Sequence, residues 1–438
     1  MYVKEIGVIT ATAVGLGAII GAGIYVLSGT AIALAGDYAL VAFLLVGVIA
    51  IIIALELGEL GSLMPFAKGA SYSYTYKAFG SELGFVTGML QYFSFATSIS
   101  VVSLGFGSYL SSMIGVPVGD FTIPFAIVLI VVLSLLNIMG IRKAAEADLS
   151  LVIIKVGILL IFVAFAISVA LSRPVGSFAS AFSFSSGGLE GIFAASVVIF
   201  FAYTGFQSIS TLSGRIKGRG NGAAKAIFYS VVISMILYVL VVVALLLLVP
   251  ASSYKLSADP LSFALRSSGA PQLLILIIDL GGLIATASAT IAMILSSSRI
   301  MYQISEDRLL PKVFRKYDKK SDAAVNGIII SAMVGIVTLF AGNIYVIASI
   351  SNFGLMFAYL LLGFDIMHFR RRGSKPSFRM PLYPYLPVVT TVAMLVLFVG
   401  MPKEALLIGI MLVILLIGIY YFFLEAEEKK TVRIKLFK

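Results

Sequence analysis

The chain has 438 residues, of which 60% are hydrophobic and 12% are charged, and its mean hydropathy is +1.10. Soluble domains average about 45–50% apolar and about 25% charged residues, so this composition excludes a string of soluble domains. The absence of cysteine excludes disulfide bonds and cysteine chemistry. The formal net charge of +11 raises the question of a nucleic-acid partner, which the positions of the charges answer.

A membrane-spanning helix needs about 20 mostly apolar residues, because its backbone polar groups must be satisfied within the segment. The sequence therefore predicts an all-α membrane protein with 12 transmembrane helices, numbered here as spans 1 to 12. Their predicted ranges are 6–35, 38–64, 82–113, 121–140, 148–171, 189–213, 223–249, 270–302, 325–341, 343–369, 381–400 and 404–424. The first run is longer than the apolar region of a secretory signal, about 7–15 residues, so we expect it to be retained.

The basic residues indicate how these spans are oriented. With the N-terminus in the cytoplasm, 26 of the 31 Lys and Arg residues fall on the cytoplasmic side. This is the positive-inside pattern of membrane proteins. The net charge thus reflects topology and excludes nucleic acid as a partner. We predict a multi-pass protein of the cell (plasma) membrane with cytoplasmic N- and C-termini and a cytoplasmic tail over 425–438.

Span 1 contains the glycine-rich stretch GLGAIIGAGIY, from Gly15 to Tyr25. Each glycine weakens a helix by up to about 1 kcal/mol, so the middle of this span is a place where a helix can unwind. Gly17 and Gly21 also form a small-xxx-small pattern, which is typical of close helix packing in membranes. The residues alone leave both interpretations open.

Span 5 reads LSLVIIKVGILLIFVAFAISVAL and contains one charged residue, Lys155. One interpretation is that its long side chain reaches back to the membrane surface about seven residues away. The other is that Lys155 points into the helix bundle, where the loss of water disfavours the charged form and makes proton uptake and release possible. The residues alone do not decide between them.

Span 6 contains FFAYTGFQSISTLSG, from Phe200 to Gly214, a second candidate for an interrupted helix. A break in span 1 would present N–H groups and a positive helix end to a carboxylate. Carbonyls at the first half of span 1 and near 203–205 would suit an ammonium group. Such a pair of sites fits the common end of an α-amino acid, and Phe201, Tyr203 and Phe206 are candidates to close over it.

Five further polar residues lie inside or at the ends of spans. We interpret Glu56 and Glu59, near the end of span 2, as structural partners of loop cations. Asp365 and His368, near the end of span 10, are interpreted as a solvated helix end. Asp279 in span 8 either attracts cationic substrates in an outer vestibule or is a bonded structural carboxylate.

The sequence carries no enzyme signature. It has no H-E-x-x-H, no G-x-S-x-G and no phosphate-binding loop, and its single histidine cannot build a metal cluster. We therefore predict that the protein is not an enzyme and has no metal and no cofactor. The sequence leaves open whether it is a monomer or a homodimer.

Five stretches in order carry a resemblance to a known family: GAIIGAGIY, ELGSLMPFAKGASYSY, FFAYTGF, SSSRIMYQISEDRLLPKVF and FRMPLYPYLP. On these, the chain resembles the amino acid-polyamine-organocation (APC) transporter family over essentially its whole length. The resemblance implies secondary active transport of amino acids or polyamines by alternating access, with no enzyme activity. It also implies a 5+5 inverted-repeat (LeuT-like) core. The repeats would cover 1–171 and 189–372, and two peripheral helices 381–424.

The resemblance also implies site residues. Those matching the family's substrate-binding positions are Ile19, Gly21, Ala22, Gly23, Phe201, Ala202, Tyr203 and Gly205, with Phe201 at the aromatic gate. Ala22 stands where some members have serine. After the break this chain has Gln207 and LSGRIKGRGNGAAKAI where the family usually has acidic residues and an NP loop.

Span 5 is similar to that of family members which couple transport to protons through a lysine. The resemblance implies that Lys155 couples transport to protons, with Gly17, Thr286 and Ser288 as possible partners. The expected partners of the protein are an amino acid, protons and the lipid bilayer. A proton-independent exchanger of cationic amino acids or polyamines, and a non-transporting membrane sensor, remain the alternatives.

Overall fold

A computed structural model describes residues 6–65, 71–139, 149–172, 188–210, 213–318 and 323–424. Within these residues the regular structure is helical, apart from two isolated bridges. The predicted tail 425–438 lies outside the described residues, as do Lys4, Lys68 and the loop from 140 to 148. The helices of the first half are α1 Val8–Ile19, α2 Ala22–Ala35, α3 Ala39–Leu63, α4 Ser71–Phe79, α5 Ser81–Ile114, α6 Thr122–Ile138 and α7 Leu149–Leu171.

The second half of the chain continues the same helical architecture. Its helices are α8 Gly188–Ala202, α9 Gln207–Ser210, α10 Arg219–Leu248, α11 Pro260–Ser267, α12 Gln272–Glu306, α13 Val325–Thr338, α14 Ile344–Arg371, α15 Tyr385–Val399 and α16 Lys403–Ile419. Spans 1 and 6 are each divided into two helices. The short helices α4 and α11 were not among the predicted spans, because neither is long and apolar enough to cross a bilayer.

Several helical runs in the described part of the chain are long and apolar enough to cross a membrane. There are seven: Gly23–Leu63, Ser81–Ile114, Ser150–Leu171, Gly220–Leu248, Gln272–Glu306, Ile344–Arg371 and Lys403–Phe422. Shorter apolar helices of 10–17 residues accompany them: Val8–Ile19, Thr122–Ile138, Gly188–Ala202, Val325–Thr338 and Tyr385–Val399. The prediction of an all-α membrane protein is thereby confirmed.

The helices differ in how far they are enclosed by others. In α5, 94% of the most apolar 18-residue stretch is buried, because α12, α14, α6 and α4 pack around this helix. In α7 only 28% is buried, and in the last run only 22%. Most of α7 is therefore available to lipid, so a buried residue on it belongs to its narrow inner face.

An ion pair joins the end of α3 to the end of α14. Arg370 donates to Glu59 through Nε at 2.7 Å and Nη2 at 2.6 Å, and the Met380 N–H donates to the same carboxylate at 2.8 Å. The bidentate geometry is the stronger form of such pairs. The structural role predicted for Glu59 is confirmed. The side of the bundle where α1 begins and α3 ends is called the α1 face below.

Two predictions for neighbouring acids are wrong. Glu56 has no hydrogen-bond partner for either carboxyl oxygen, so it does not pair with a loop cation. Asp365 is fully buried and accepts a hydrogen bond from Thr75 at 3.0 Å, so it is not a solvated helix end. The reason is that α14 continues to Arg371 and α4 packs against it, which covers Asp365.

Candidate functional site

Span 1 is interrupted, which was one of the two interpretations of its glycines. The first half, α1, ends at Ile19, and the second half, α2, begins at Ala22. Between them Gly21 has φ −102° and ψ −137°, and no side chain caps the new helix at that residue. The first-turn N–H groups of α2 therefore have no partner within their helix. These N–H groups, at the positive end of α2, are suited to bind a carboxylate.

Span 6 is interrupted at the same level. Helix α8 ends at Ala202, and α9 begins at Gln207. Between them Gly205 has a φ of +118°, which L side chains rarely adopt, and a Cβ built on it would lie 2.4 Å from the carbonyl oxygen of Ala18. Only glycine fits here, because both the backbone angle and the neighbouring chain exclude a side chain.

The two interrupted spans touch each other at glycines. A Cβ built on Gly23 would lie 2.3 Å from the Cα of Ala202. One built on Gly21 would lie 3.1 Å from the Cβ of Ala289 on α12. Gly21 and Gly23 thus provide close packing as well as a break, so the two sequence interpretations of these glycines both hold. Of Ala22, the structure describes the backbone only.

Sequence reasoning missed the residue that joins the two breaks, Tyr238 on α10. Its hydroxyl lies 2.8 Å from the carbonyl oxygen of Ile19 and 2.9 Å from that of Ala202. These are the last carbonyls of α1 and α8, which no N–H group of their own helix can reach, and that of Ile19 also accepts from the Gly21 N–H at 2.7 Å. Tyr238 therefore lies beside two of the acceptors that the sequence offered to a substrate ammonium group, and its single proton can be donated to one of them at a time. A tyrosine in an apolar span, 16 residues from the nearest glycine, gave no signal of this role.

The aromatic residues of the second break have different surroundings. The Tyr203 hydroxyl donates to the carbonyl of Phe43 on α3 at 3.1 Å, so it points away from span 1. Phe206 stacks on Tyr359 of α14, with ring centroids 6.2 Å apart. The Tyr359 hydroxyl is buried without a hydrogen-bond partner. Phe201 is buried at the end of α8, and its carbonyl accepts from the Thr204 side chain at 2.7 Å.

Lys155 faces the interior of the bundle and not the lipid. It is 3% exposed, although most of α7 is uncovered. Its Nζ lies 3.4 Å from the carbonyl oxygen of Gly17, a long hydrogen bond to the last turn of α1 before the break. One turn earlier on α7, Val152 lies against Gly17, where a Cβ would come within 2.7 Å of its Cγ2. The structure thus brings together Lys155 and Gly17, two of the residues selected from the sequence.

The other two expected partners of Lys155 bond elsewhere. Thr286 donates to the carbonyl of Gly282 at 2.6 Å, and Ser288 donates to that of Ala285 at 3.0 Å. Both are bonds to the preceding turn of their own helix, α12. Serine and threonine inside helices commonly bond in this way. The structure gives neither hydroxyl a hydrogen bond with Lys155.

On the opposite face of the bundle, Asp279 belongs to a network that we call the α11 latch. It consists of Asp279, Ser112, Ser262, Arg266 and Asp259. Ser112 donates to both oxygens of Asp279 at 3.0 Å, and Ser262 of α11 donates to one of them at 2.5 Å. Arg266 pairs with Asp259 at 2.7 Å and also bonds Ser112. Asp279 is therefore a bonded structural carboxylate, the second of its two predicted interpretations.

Replacing Asp279 with asparagine is expected to loosen α11. The amide keeps the size of the carboxylate but carries no charge. Each hydrogen bond to a charged group contributes about 1.5–3 kcal/mol to stability, and these bonds are weakened or lost. The native chain has no cysteine, so Ala264→Cys, on the buried side of α11, provides a single label site without background. We expect Asp279→Asn to raise the rate at which the cysteine at position 264 reacts with an impermeant maleimide by about 5- to 30-fold. The exposed Ser267→Cys is the control, and equal effects at both positions would contradict the latch.

Comparison with known proteins places these features in a family. The sequence profile of the amino acid permease family matches residues 6–423. The chain is 26% identical to the branched-chain amino acid permease BcaP of Bacillus subtilis, an alignment covering 97% of this chain and 93% of that protein. It is 25% identical to the methylthioribose transporter of the same organism, over 86% and 84% of the two chains.

A solved structure shares the fold. The manganese transporter of Eremococcus coleocola superimposes with a TM-score of 0.61 over 94% of each chain, at 14% sequence identity. This similarity concerns the fold alone, and within the described residues no group of three His, Asp or Glu side chains could hold a metal ion. With a family match across nearly its entire length, the chain belongs to the amino acid permease family, and it is a multi-pass membrane transporter rather than an enzyme.

Proposed function

We propose that this permease is a proton-coupled symporter of neutral amino acids that works by alternating access. The observation that carries the proposal is the buried Lys155, whose Nζ reaches the carbonyl of Gly17 next to the break in span 1. A lysine on a lipid-exposed helix that turns inward instead of reaching for the surface is a functional residue by default. Its position links a titratable group to the helix that binds substrate.

The substrate site lies at the two breaks. The substrate carboxylate binds the first-turn N–H groups of α2, beginning at Ala22 and Gly23. Its ammonium group binds carbonyl oxygens at the ends of α1 and α8, in a network shared with Tyr238. Phe201 closes over the bound substrate as the gate. Ile19, Gly21, Ala202, Tyr203 and Gly205 form the backbone walls of this site.

Charge favours a neutral substrate. The segments that flank the two breaks, 8–35 and 191–210, contain no acidic residue. Asp279, the acid considered for cationic substrates, is occupied by Ser112 and Ser262. No carboxylate is therefore offered to a cationic side chain at these segments. A relative named for branched-chain amino acids points to the same substrate class.

We further propose twelve spans with both termini in the cytoplasm, arranged as two inverted repeats over 1–171 and 189–372 with peripheral helices at 381–424. Support comes from the two breaks, because α1 and α2 open the first repeat as α8 and α9 open the second. Interrupted helices at corresponding positions of two halves are typical of inverted-repeat transporters. The α1 face is then the cytoplasmic face.

The Lys155 contact supports proton coupling. With its proton, Lys155 is an ammonium group that donates to the carbonyl of Gly17 and holds α1 against α7. Without it, the amine is a weaker donor and α1 is free to move away from α7. Substrate bound at the break contacts the carbonyl oxygens at the C-terminal end of the same helix. Proton and substrate therefore favour the same position of α1, which is the thermodynamic requirement for symport.

The test is uptake by the purified protein in proteoliposomes with an imposed pH gradient. Radiolabelled leucine, isoleucine and valine are compared with lysine, arginine and methylthioribose. We expect the branched-chain amino acids to accumulate against their gradient and a protonophore to abolish the accumulation. Uptake that ignores the gradient but requires preloaded substrate would select the exchanger, and binding without flux would select the sensor.

A further inference from the structure

A second group of buried titratable side chains lies at the α1 face, away from Lys155 and the substrate site. Glu56 on α3 and Asp365 on α14 are both 0% exposed, and we call them the Glu56–Asp365 pair. The two carboxyl groups lie within electrostatic range of each other, with Glu59 beside them. Neither residue takes part in the transport mechanism proposed above.

Among the described residues, no salt bridge joins a cation to either member of the pair. Arg370, on the same helix as Asp365, donates through both Nε and Nη2 to Glu59, at 2.7 and 2.6 Å. The other basic residues on the elements around the pair include His368 and the exposed Arg371 of α14, the exposed Lys77 of α4, the exposed Lys225 of α10 and the exposed Arg379 of the loop before α15. From α4, Tyr74 faces Asp365.

The hydrogen bonding around the pair is incomplete. Asp365 accepts from Thr75 through one oxygen at 3.0 Å, but its Oδ1 and both oxygens of Glu56 have no partner. On α15, the fully buried Thr390 hydroxyl approaches the Glu56 carboxyl group but makes no hydrogen bond of good geometry with it. The buried Tyr74 hydroxyl likewise approaches Ser210 without a hydrogen bond of good geometry. Buried polar groups are nearly always hydrogen-bonded, so this cluster of unpartnered oxygens is a place where an added proton would be stabilised.

A proton satisfies both the charge and the hydrogen bonds. Two carboxylates buried without a cation cost far more free energy than one or two neutral carboxyl groups. A carboxyl that gains a proton also becomes a donor, and its carbonyl oxygen is left to accept from a hydroxyl such as that of Thr390. We propose that the Glu56–Asp365 pair is a proton-binding site of this permease, occupied at neutral pH and distinct from Lys155.

The site is placed to affect the inner half of span 6. On α3, a Cβ built on Gly61 would lie 3.6 Å from the Tyr74 hydroxyl and 3.5 Å from the Cβ of Ser210, the last residue of α9. The pair itself bridges α3 and α14. Loss of the proton therefore places negative charge between these helices, directly beside the packing that holds α9.

Thermal stability as a function of pH tests the site without any transport measurement. A carboxyl that stays protonated in the folded protein and ionises on unfolding makes the protein less stable as pH rises. Each such proton changes the unfolding equilibrium by about tenfold per pH unit. In lipid nanodiscs we expect the melting temperature of the wild type to fall with pH, and Glu56→Gln or Asp365→Asn to make this dependence shallower.

Matched variants separate this site from other groups. Glu190→Gln, on an exposed acid in the first turn of α8, should leave the pH dependence of the melting temperature unchanged. The flattening by Glu56→Gln should persist in a Lys155→Gln background, so the proposal is independent of proton-coupled transport. Identical pH profiles for wild type, Glu56→Gln and Asp365→Asn would overturn it. Stabilisation of the wild type by sodium at fixed pH would also overturn it, because a metal cation would then be the ligand.

Infrared spectroscopy of the wild type provides a readout that does not depend on a variant folding. We expect a carbonyl band of protonated carboxylic acid at neutral pH that disappears on alkaline titration. Labelling of glutamate or aspartate with ¹³C should shift this band and identify which of the two carries the proton. A neutral-pH spectrum without any such band would contradict the proposal, since every acid in the protein would then be ionised.

Discussion

Replacing Lys155 with glutamine is expected to abolish proton-driven accumulation while leaving substrate exchange measurable. The glutamine side chain is one atom shorter and uncharged, and the Nζ of Lys155 is already 3.4 Å from the carbonyl of Gly17, so α1 keeps its contact with α7 mainly through the packing of Val152 against Gly17. The glutamine amide cannot gain or lose a proton at physiological pH, so the position of α1 no longer depends on protonation. Symport and exchange are thereby separated by a change of a few atoms at a buried position.

The measurement is uptake of labelled leucine with and without an imposed pH gradient, beside counterflow into vesicles preloaded with unlabelled leucine. A gradient of about one pH unit supports about tenfold accumulation for one coupled proton. Lys155→Gln should reduce this to equilibration and keep counterflow within a few-fold of wild type. Lys255→Gln, at an exposed loop position, is the control. Full gradient dependence in Lys155→Gln would show that the proton is carried by another group.

The sequence predicted the features that depend on the local properties of a single residue, such as the low helix propensity of glycine. Glycines at 21 and 205 lie at the two breaks because helices tolerate them poorly, and this holds in any surroundings. The inward position of Lys155 was one of two alternatives, because an apolar span does not reveal which of its faces meets other helices. Only the packing of α1 against α7 at Gly17 and Val152 decides it.

What could not be predicted depends on contacts between distant parts of the chain. Tyr238 lies 219 residues from Ile19, and nothing in its own span marks it as the donor to two broken helix ends. Thr286 and Ser288 were expected near Lys155 from family resemblance, yet the acceptors nearest their hydroxyls are in their own helix. Asp365 lies five residues before Arg370, which pairs with Glu59. Asp365 itself is covered by α4 and accepts a hydrogen bond from Thr75 instead.

The contact between the two interrupted spans provides the second strong prediction, Gly23→Ala. The new methyl group would lie 2.3 Å from the Cα and 2.7 Å from the Cβ of Ala202. Backbone cannot rotate away as a flexible side chain can, so α2 must shift away from α8. Overpacking of this kind costs about 1–3 kcal/mol, and each 1.4 kcal/mol lost from the binding-competent state is a factor of about ten in affinity. We expect leucine binding and uptake to fall by about tenfold or more.

The matched control for Gly23→Ala is Gly157→Ala on α7, where nothing lies within 4 Å of the added methyl group. This substitution removes a glycine from the middle of a helix, so it should raise the melting temperature and leave uptake unchanged. Ala202→Gly should not rescue Gly23→Ala, since the Cα of residue 202, the nearer of the two atoms, remains in place. Size-exclusion chromatography and the melting temperature distinguish a folded but inactive Gly23→Ala from a misfolded one. A folded variant with normal uptake would show that the close approach of α2 and α8 at Gly23 is not needed for transport.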